Sequence, residues 1–147
     1  MKAREWLDRG RQTTDPLDAF TYFWRAFNNL YSTVGQGQER DKIKLFLSQQ
    51  LSEAQAMEIL QSNTDGVSYL LSQPVIDMRG TGKNTMPNIQ AFGVAVDSLV
   101  KLQELFMVIY QVRCNLEHGK KSPSKDRDIK LCESSAPLVA YVVDHNV

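Results

Sequence analysis

At 147 residues, with 42% hydrophobic and 23% charged side chains, the chain has the size and composition of one globular domain with a core large enough to fold alone. Its formal net charge is zero, which excludes a chain-wide basic field that would attract nucleic acid over the whole surface. The charge is uneven, however: Arg113 to Lys130 carry six Lys or Arg against three Asp or Glu, which marks one end of the molecule as a candidate anion site.

The N-terminal stretch, Met1 to Arg11, is charged and has no apolar run of the signal-peptide kind. No apolar run approaches the length of a membrane span, so a cytoplasmic protein is expected. Cys114 and Cys132 lack metal-ligand spacing and read as free, largely buried thiols rather than a disulfide. Neither a metal nor a cofactor is expected.

The pattern predicts helices throughout. Lys2 to Arg9 forms a short one anchored by Trp6 and Leu7. Asp15-Pro16 is a start signal, with Asp as cap and Pro at the first helical position. Leu17, Phe20, Trp24, Phe27, Tyr31 and Val34 then recur at spacings of three and four, until Gly35-Gln-Gly37 ends the helix. A second helix from about Gln38 to Gln50 turns Ile43, Phe46, Leu47 and Leu51 inward, with Glu39, Arg40, Asp41 and Lys44 on the opposite side. Ser52-Glu-Ala-Gln55 reads as a capping box opening a short helix. Asp65 to Ser72 is another.

Val75 to Asn88 is the longest irregular segment. Its Arg79-Gly-Thr-Gly-Lys83 invites a phosphate-loop reading, which fails. Asp77 stands where the first Gly is needed, Asn84 follows the Lys, and no strand precedes. Pro87 opens a long helix, about Ile89 to Leu116, apolar on more than one face and therefore central. Ser124 is expected to cap the last helix, which Pro137 kinks or restarts. His145, in the last three residues, is expected to be frayed and solvated. With no convincing strand signal, the expected fold is an all-α, single-domain bundle of four to five main helices spanning residues 1–147.

The chemistry gathers where the long helix ends. On a helical wheel Arg113 falls inside the apolar stripe, about one turn past Ile109. A guanidinium keeps its charge in proteins, so a core-facing one needs partners or a watered cleft. His118 follows five residues later, then Gly119 as a left-handed helix stop, then Lys120 and Lys121. A structural role is the simplest reading of such a pair, since cations satisfy the last carbonyls and complement the helix dipole. Two features point further. Arg113 lies along the apolar stripe, and Gly119 frees His118 from helical phase. On a rigid helix the two would diverge by about 140°.

An Arg-His pair without metal ligands suits RNA cleavage by the RNA's own 2′-hydroxyl. The imidazole moves the proton, and the guanidinium stabilises the charge building on phosphorus. Lys120, Lys121 and Lys125 would hold flanking phosphates, with Asn115 donating to the same phosphate or supporting the arginine. One His is a thin set for both acid and base, and a two-fold dimer would supply both.

Arg113-Cys-Asn-Leu-Glu-His118-Gly119 resembles the R-x(4-6)-H signature of the HEPN domain (higher eukaryotes and prokaryotes nucleotide-binding), especially the subgroup reading R-x-N-L-x-H-G. Asp15 to Tyr31 is similar to the first long helix of bacterial HEPN-like proteins. The resemblance implies a four- or five-helix bundle and homodimerisation across the motif. It also implies metal-independent endoribonuclease activity in toxin–antitoxin or phage-defence systems, with Arg113 and His118 as the catalytic pair. Two positions depart from the pattern. Cys114 replaces the frequent polar residue after the arginine. Lys120 stands where toxins silenced by nucleotidylation carry a tyrosine. Some family members are inactive, so the alternative implied is a non-catalytic RNA- or nucleotide-binding or assembly module.

Overall fold

The structure, a computed structural model, describes residues 1–119 and 125–147. Among these residues the chain is all-helical, with eight helices: α1 (Lys2–Arg11), α2 (Pro16–Tyr31), α3 (Glu39–Gln50), α4 (Glu53–Gln61), α5 (Thr64–Ser72), α6 (Met86–Val94), α7 (Ser98–Glu117) and α8 (Asp126–Asp144). The only extended pairing among them is an isolated antiparallel bridge between Ile76 and Asn84.

Local chemistry sets the helix starts. The Asp15 carboxylate accepts from the backbone N–H groups of Leu17 at 2.8 Å and Asp18 at 3.2 Å, with Pro16 at the first helical position. At α4 the Ser52 hydroxyl accepts from Gln55 N–H, and the Gln55 side chain accepts from Ser52 N–H, so the box closes in both directions.

The core is built on the aromatic face of α2. Phe27 meets Phe106 of α7 at 5.3 Å and Phe46 of α3 at 5.7 Å, both edge-on. Helix α8 lays Leu131, Cys132, Leu138, Val139, Val142 and Val143 against the same interior, and α1 adds Ala3 and Leu7. Helix α1 approaches α2 so closely at Gly10 that a methyl there would lie 2.5 Å from the Phe23 ring. Helix α7 packs against α3, α4, α5, α6 and α8, and its Met107, Val108 and Ile109 are all buried, which accounts for its lack of a polar face.

Three sequence-based expectations need correction. The apolar segment after Pro87 is two helices, not one. Ala95 is extended, Val96 is 92% exposed, and α7 starts afresh at Ser98. The new start is capped from a distance: the Glu53 carboxylate on α4 accepts from Ser98 N–H at 2.7 Å and Leu99 N–H at 2.8 Å. Those bonds, Leu99's first, hold the Glu53 carboxyl below the usual carboxylate range. Secondly, Pro137 does not restart the last helix, because α8 runs through it. Ser124, expected to cap that helix, lies outside the described residues. Thirdly, His145 is exposed, as expected, but it still caps α8: its N–H reaches the Tyr141 carbonyl and its ring lies 5.0 Å from that of Tyr141.

No helix among the described residues is long and apolar enough to cross a membrane.

Candidate functional site

Residues three and four apart share a helix face, which aligns Tyr110, Arg113, Cys114 and Glu117 along the last two turns of α7. Facing them are the start of α3, with Glu39 and Arg40, and Arg79 from the loop between α5 and α6. Together with His118 these groups line an open cleft of about 470 Å³.

Glu39 organises this cleft, and the sequence reading had assigned it to the outer side of its helix. One carboxylate oxygen accepts from the Tyr31 hydroxyl and from Asn28 Nδ2 at 3.3 Å. The other accepts from the Tyr110 hydroxyl at 3.0 Å and pairs with Arg113 Nη1 at 3.6 Å. As the first residue of α3, Glu39 also sits at the positive end of that helix. The wheel misplaces it because α3 does not bury it: α2 and α7 close over it. Burial, then the Glu39 carboxylate, push the Tyr31 phenol well above its usual range. Tyr110 is raised too, first by burial and then by the Cys114 thiol beside it.

Arg113 is half-buried, as its place on the stripe implied, and it is paired. Its Nη2 meets the Glu117 carboxylate at 2.8 Å, in addition to the Glu39 contact. Burial works to lower its pKa, but Glu39 and Glu117 outweigh that and raise it, so it is a permanent cation.

His118 caps α7 and is exposed. Gly119 adopts a left-handed conformation at φ +68°, the predicted helix stop. The ring Nδ1 lies 2.7 Å from the Cys114 carbonyl oxygen. A carbonyl only accepts, so Nδ1 carries the hydrogen of this bond, and Nε2 is the ring nitrogen not engaged by it. Arg113 and His118 both line this one cleft, with α7 continuing through Glu117.

Asn115 has a different task from the one expected. It is buried, and its Oδ1 accepts from Met78 N–H at 3.1 Å and Gln111 Nε2 at 3.0 Å, while Nδ2 donates to the Ile76 carbonyl at 2.8 Å. Two of these three bonds fasten the α5–α6 loop to α7, and the third ties the side chain to its own helix. That fastening delivers Arg79. Asp77, buried beside Asn115's anchor points, accepts from Arg79 Nε at 3.1 Å and Nη2 at 2.9 Å, and from the Thr81 hydroxyl at 3.1 Å. The Arg79 guanidinium holds the Asp77 carboxyl far below the usual carboxylate range. The loop closes through Asp77 N–H to the Lys83 carbonyl and Thr85 N–H to the Val75 carbonyl. Arg79 therefore reaches the cleft by a route that spacing along the chain does not reveal.

Lys125 is exposed at the N-cap of α8 and lines no cleft that holds Arg113. Lys120 and Lys121 lie outside the described residues. Cys114 and Cys132 form no disulfide, Cys132 being buried and Cys114 partly so. Among the described residues no three His, Cys, Asp or Glu side chains converge as metal ligands would.

The chain matches no protein-family model, no curated protein and no solved structure.

Proposed function

We propose that the protein is a metal-independent endoribonuclease of the HEPN type that uses Arg113 and His118. The observation that carries this reading is the joint presence of both side chains in one open cleft, with His118 Nδ1 tied to a backbone carbonyl and Nε2 not engaged by that bond. In this reading Nε2 takes the proton of an RNA 2′-hydroxyl. That oxygen attacks the adjacent phosphorus, and the bond to the 5′-oxygen breaks. Arg113, with Arg79 and Arg40 at the cleft walls, bears the charge on the phosphoryl oxygens. An imidazolium, supplied by a second copy in a two-fold dimer, protonates the departing 5′-oxygen. The products are a 2′,3′-cyclic phosphate and a 5′-hydroxyl. An RNA of a toxin–antitoxin or phage-defence system is the proposed context, in the cytoplasm and with an antitoxin as a candidate partner.

One observation favours a second reading. Both carboxylates in the cleft already face Arg113, as they would in a module that binds RNA or nucleotide without turnover.

Labelled RNA incubated with wild type and with His118→Ala, in excess EDTA, separates the two. The nuclease reading expects cleavage to a cyclic phosphate by wild type and none by a folded His118→Ala. Equal cleavage by both proteins would refute the assignment. Binding without cleavage by either selects the second reading.

A further inference from the structure

A second concavity opens on the other side of Arg113, against α1 and α2, with a volume of about 620 Å³. That size suits a nucleoside or a comparable small molecule. Both of the chain's tryptophans line it. Trp6 is half-buried and lies nearly parallel to Tyr22, at 5.8 Å and 16°. The Arg25 guanidinium stands 5.0 Å from the Trp6 ring. Trp24 is buried, and its indole N–H has no acceptor among the described residues. Arg113 and Glu117 line both this groove and the first cleft, so the two concavities meet at the same guanidinium.

The groove thus sets a partly exposed indole, with Arg9 and Arg25 over its ring, at one end and the Arg113 guanidinium at the other, while the Trp24 N–H stays below the surface. The matching chemistry is a flat aromatic ring with a polar edge, linked to an anion. The ring stacks, and the linked anion meets Arg25 or Arg113. Paired bases in a duplex are stacked on each other and cannot enter a groove singly. We infer that the groove is a base-binding subsite for single-stranded RNA, which receives the unstacked base of a nucleotide neighbouring the phosphate at Arg113. The RNA part of this inference rests on the function proposed above, and the subsite adds a determinant of strand and base recognition separate from the catalytic pair.

Trp6 and Trp24 report the groove directly by their emission. The full chain is titrated with a 2′-O-methyl oligoadenylate, which lacks the attacking hydroxyl and so measures binding without cleavage. A saturable change in emission is expected, with an abasic strand of equal length binding about tenfold or more weakly. Trp6→Ala and Arg25→Ala, both at accessible positions and checked for native far-UV circular dichroism, should each weaken the oligoadenylate by about tenfold. Equal affinity for the abasic strand, or full affinity in both groove variants, overturns the subsite while leaving cleavage of ordinary RNA as a separate result. An emission change that follows protein concentration and ignores the strand overturns it in favour of a second copy covering the groove. No binding of any strand, with no cleavage of RNA, removes the subsite and the nuclease together.

Discussion

At the scale of single residues, the two glutamates on Arg113 do different work. Glu39 is partly buried and also serves Tyr31, Tyr110 and Asn28. Glu39→Ala would leave those donors unmatched and the half-buried guanidinium with Glu117 as its one carboxylate, and should cost about 2 kcal/mol in urea denaturation. Glu117 is 56% exposed and lies one turn from its partner. An exposed pair of that kind contributes at most about 0.5 kcal/mol. Glu117→Gln should therefore leave stability unchanged while raising RNA affinity several-fold in a filter-binding assay, because it removes a negative charge from the proposed phosphate site. Arg113 was legible in the sequence because a charged residue interrupting an apolar stripe must be accommodated. Glu39 was not, since the groups that enclose it come from two other helices. The partners of Asn115 were not legible either, because two of them are backbone groups nearly forty positions away.

Among the elements, helix starts encoded by neighbours were readable and those encoded at a distance were not. The caps of α2 and α4 lie within three residues of the groups they serve. The break before α7 was invisible because apolar spacing continues across it and its cap arrives from Glu53, 45 residues earlier. Helix contacts also decide what a glycine is for. At Gly66 of α5 a methyl would lie 2.9 Å from the Ser134 carbonyl oxygen of α8, whereas at Gly93 of α6 nothing lies within 4 Å. Alanine normally favours a helix over glycine by up to about 1 kcal/mol. Gly93→Ala should show part of that gain in thermal melts. Gly66→Ala should instead lose about 1–3 kcal/mol, since the two helix backbones must separate.

Over the whole molecule, an all-α fold followed from periodicity, since every long apolar stripe repeats at three and four and none at two. The number of helices did not follow, because α4, α5 and α6 are only nine residues each and the split between α6 and α7 is set by packing. A neutral chain confines any attraction for RNA to local clusters. If Arg40, Arg79 and Arg113 each neutralise a phosphate, the logarithm of affinity should fall with the logarithm of salt at a slope of about −2 for a single strand, and Arg79→Ala should flatten it by about 0.7. Asp77 keeps Arg79 in place over a wide pH range. Its folded pKa lies below the unfolded value of about 3.9, so its contribution is complete above that value and fades only as pH falls toward the folded pKa. A cleavage profile between pH 5 and 9 should accordingly show no inflection that Asp77→Asn removes.

Asn115 grips only main-chain atoms of the segment it holds, one carbonyl and one amide. Any polypeptide that offers those two groups at the same separation satisfies it, whatever its side chains. The outer wall of the cleft is in effect an exchangeable cassette docked on a fixed socket. Substitutions at Met78, Arg79 or Lys83, or grafts of a different hairpin of equal span, can therefore rewrite what that wall recognises without disturbing the helix that carries Arg113 and His118.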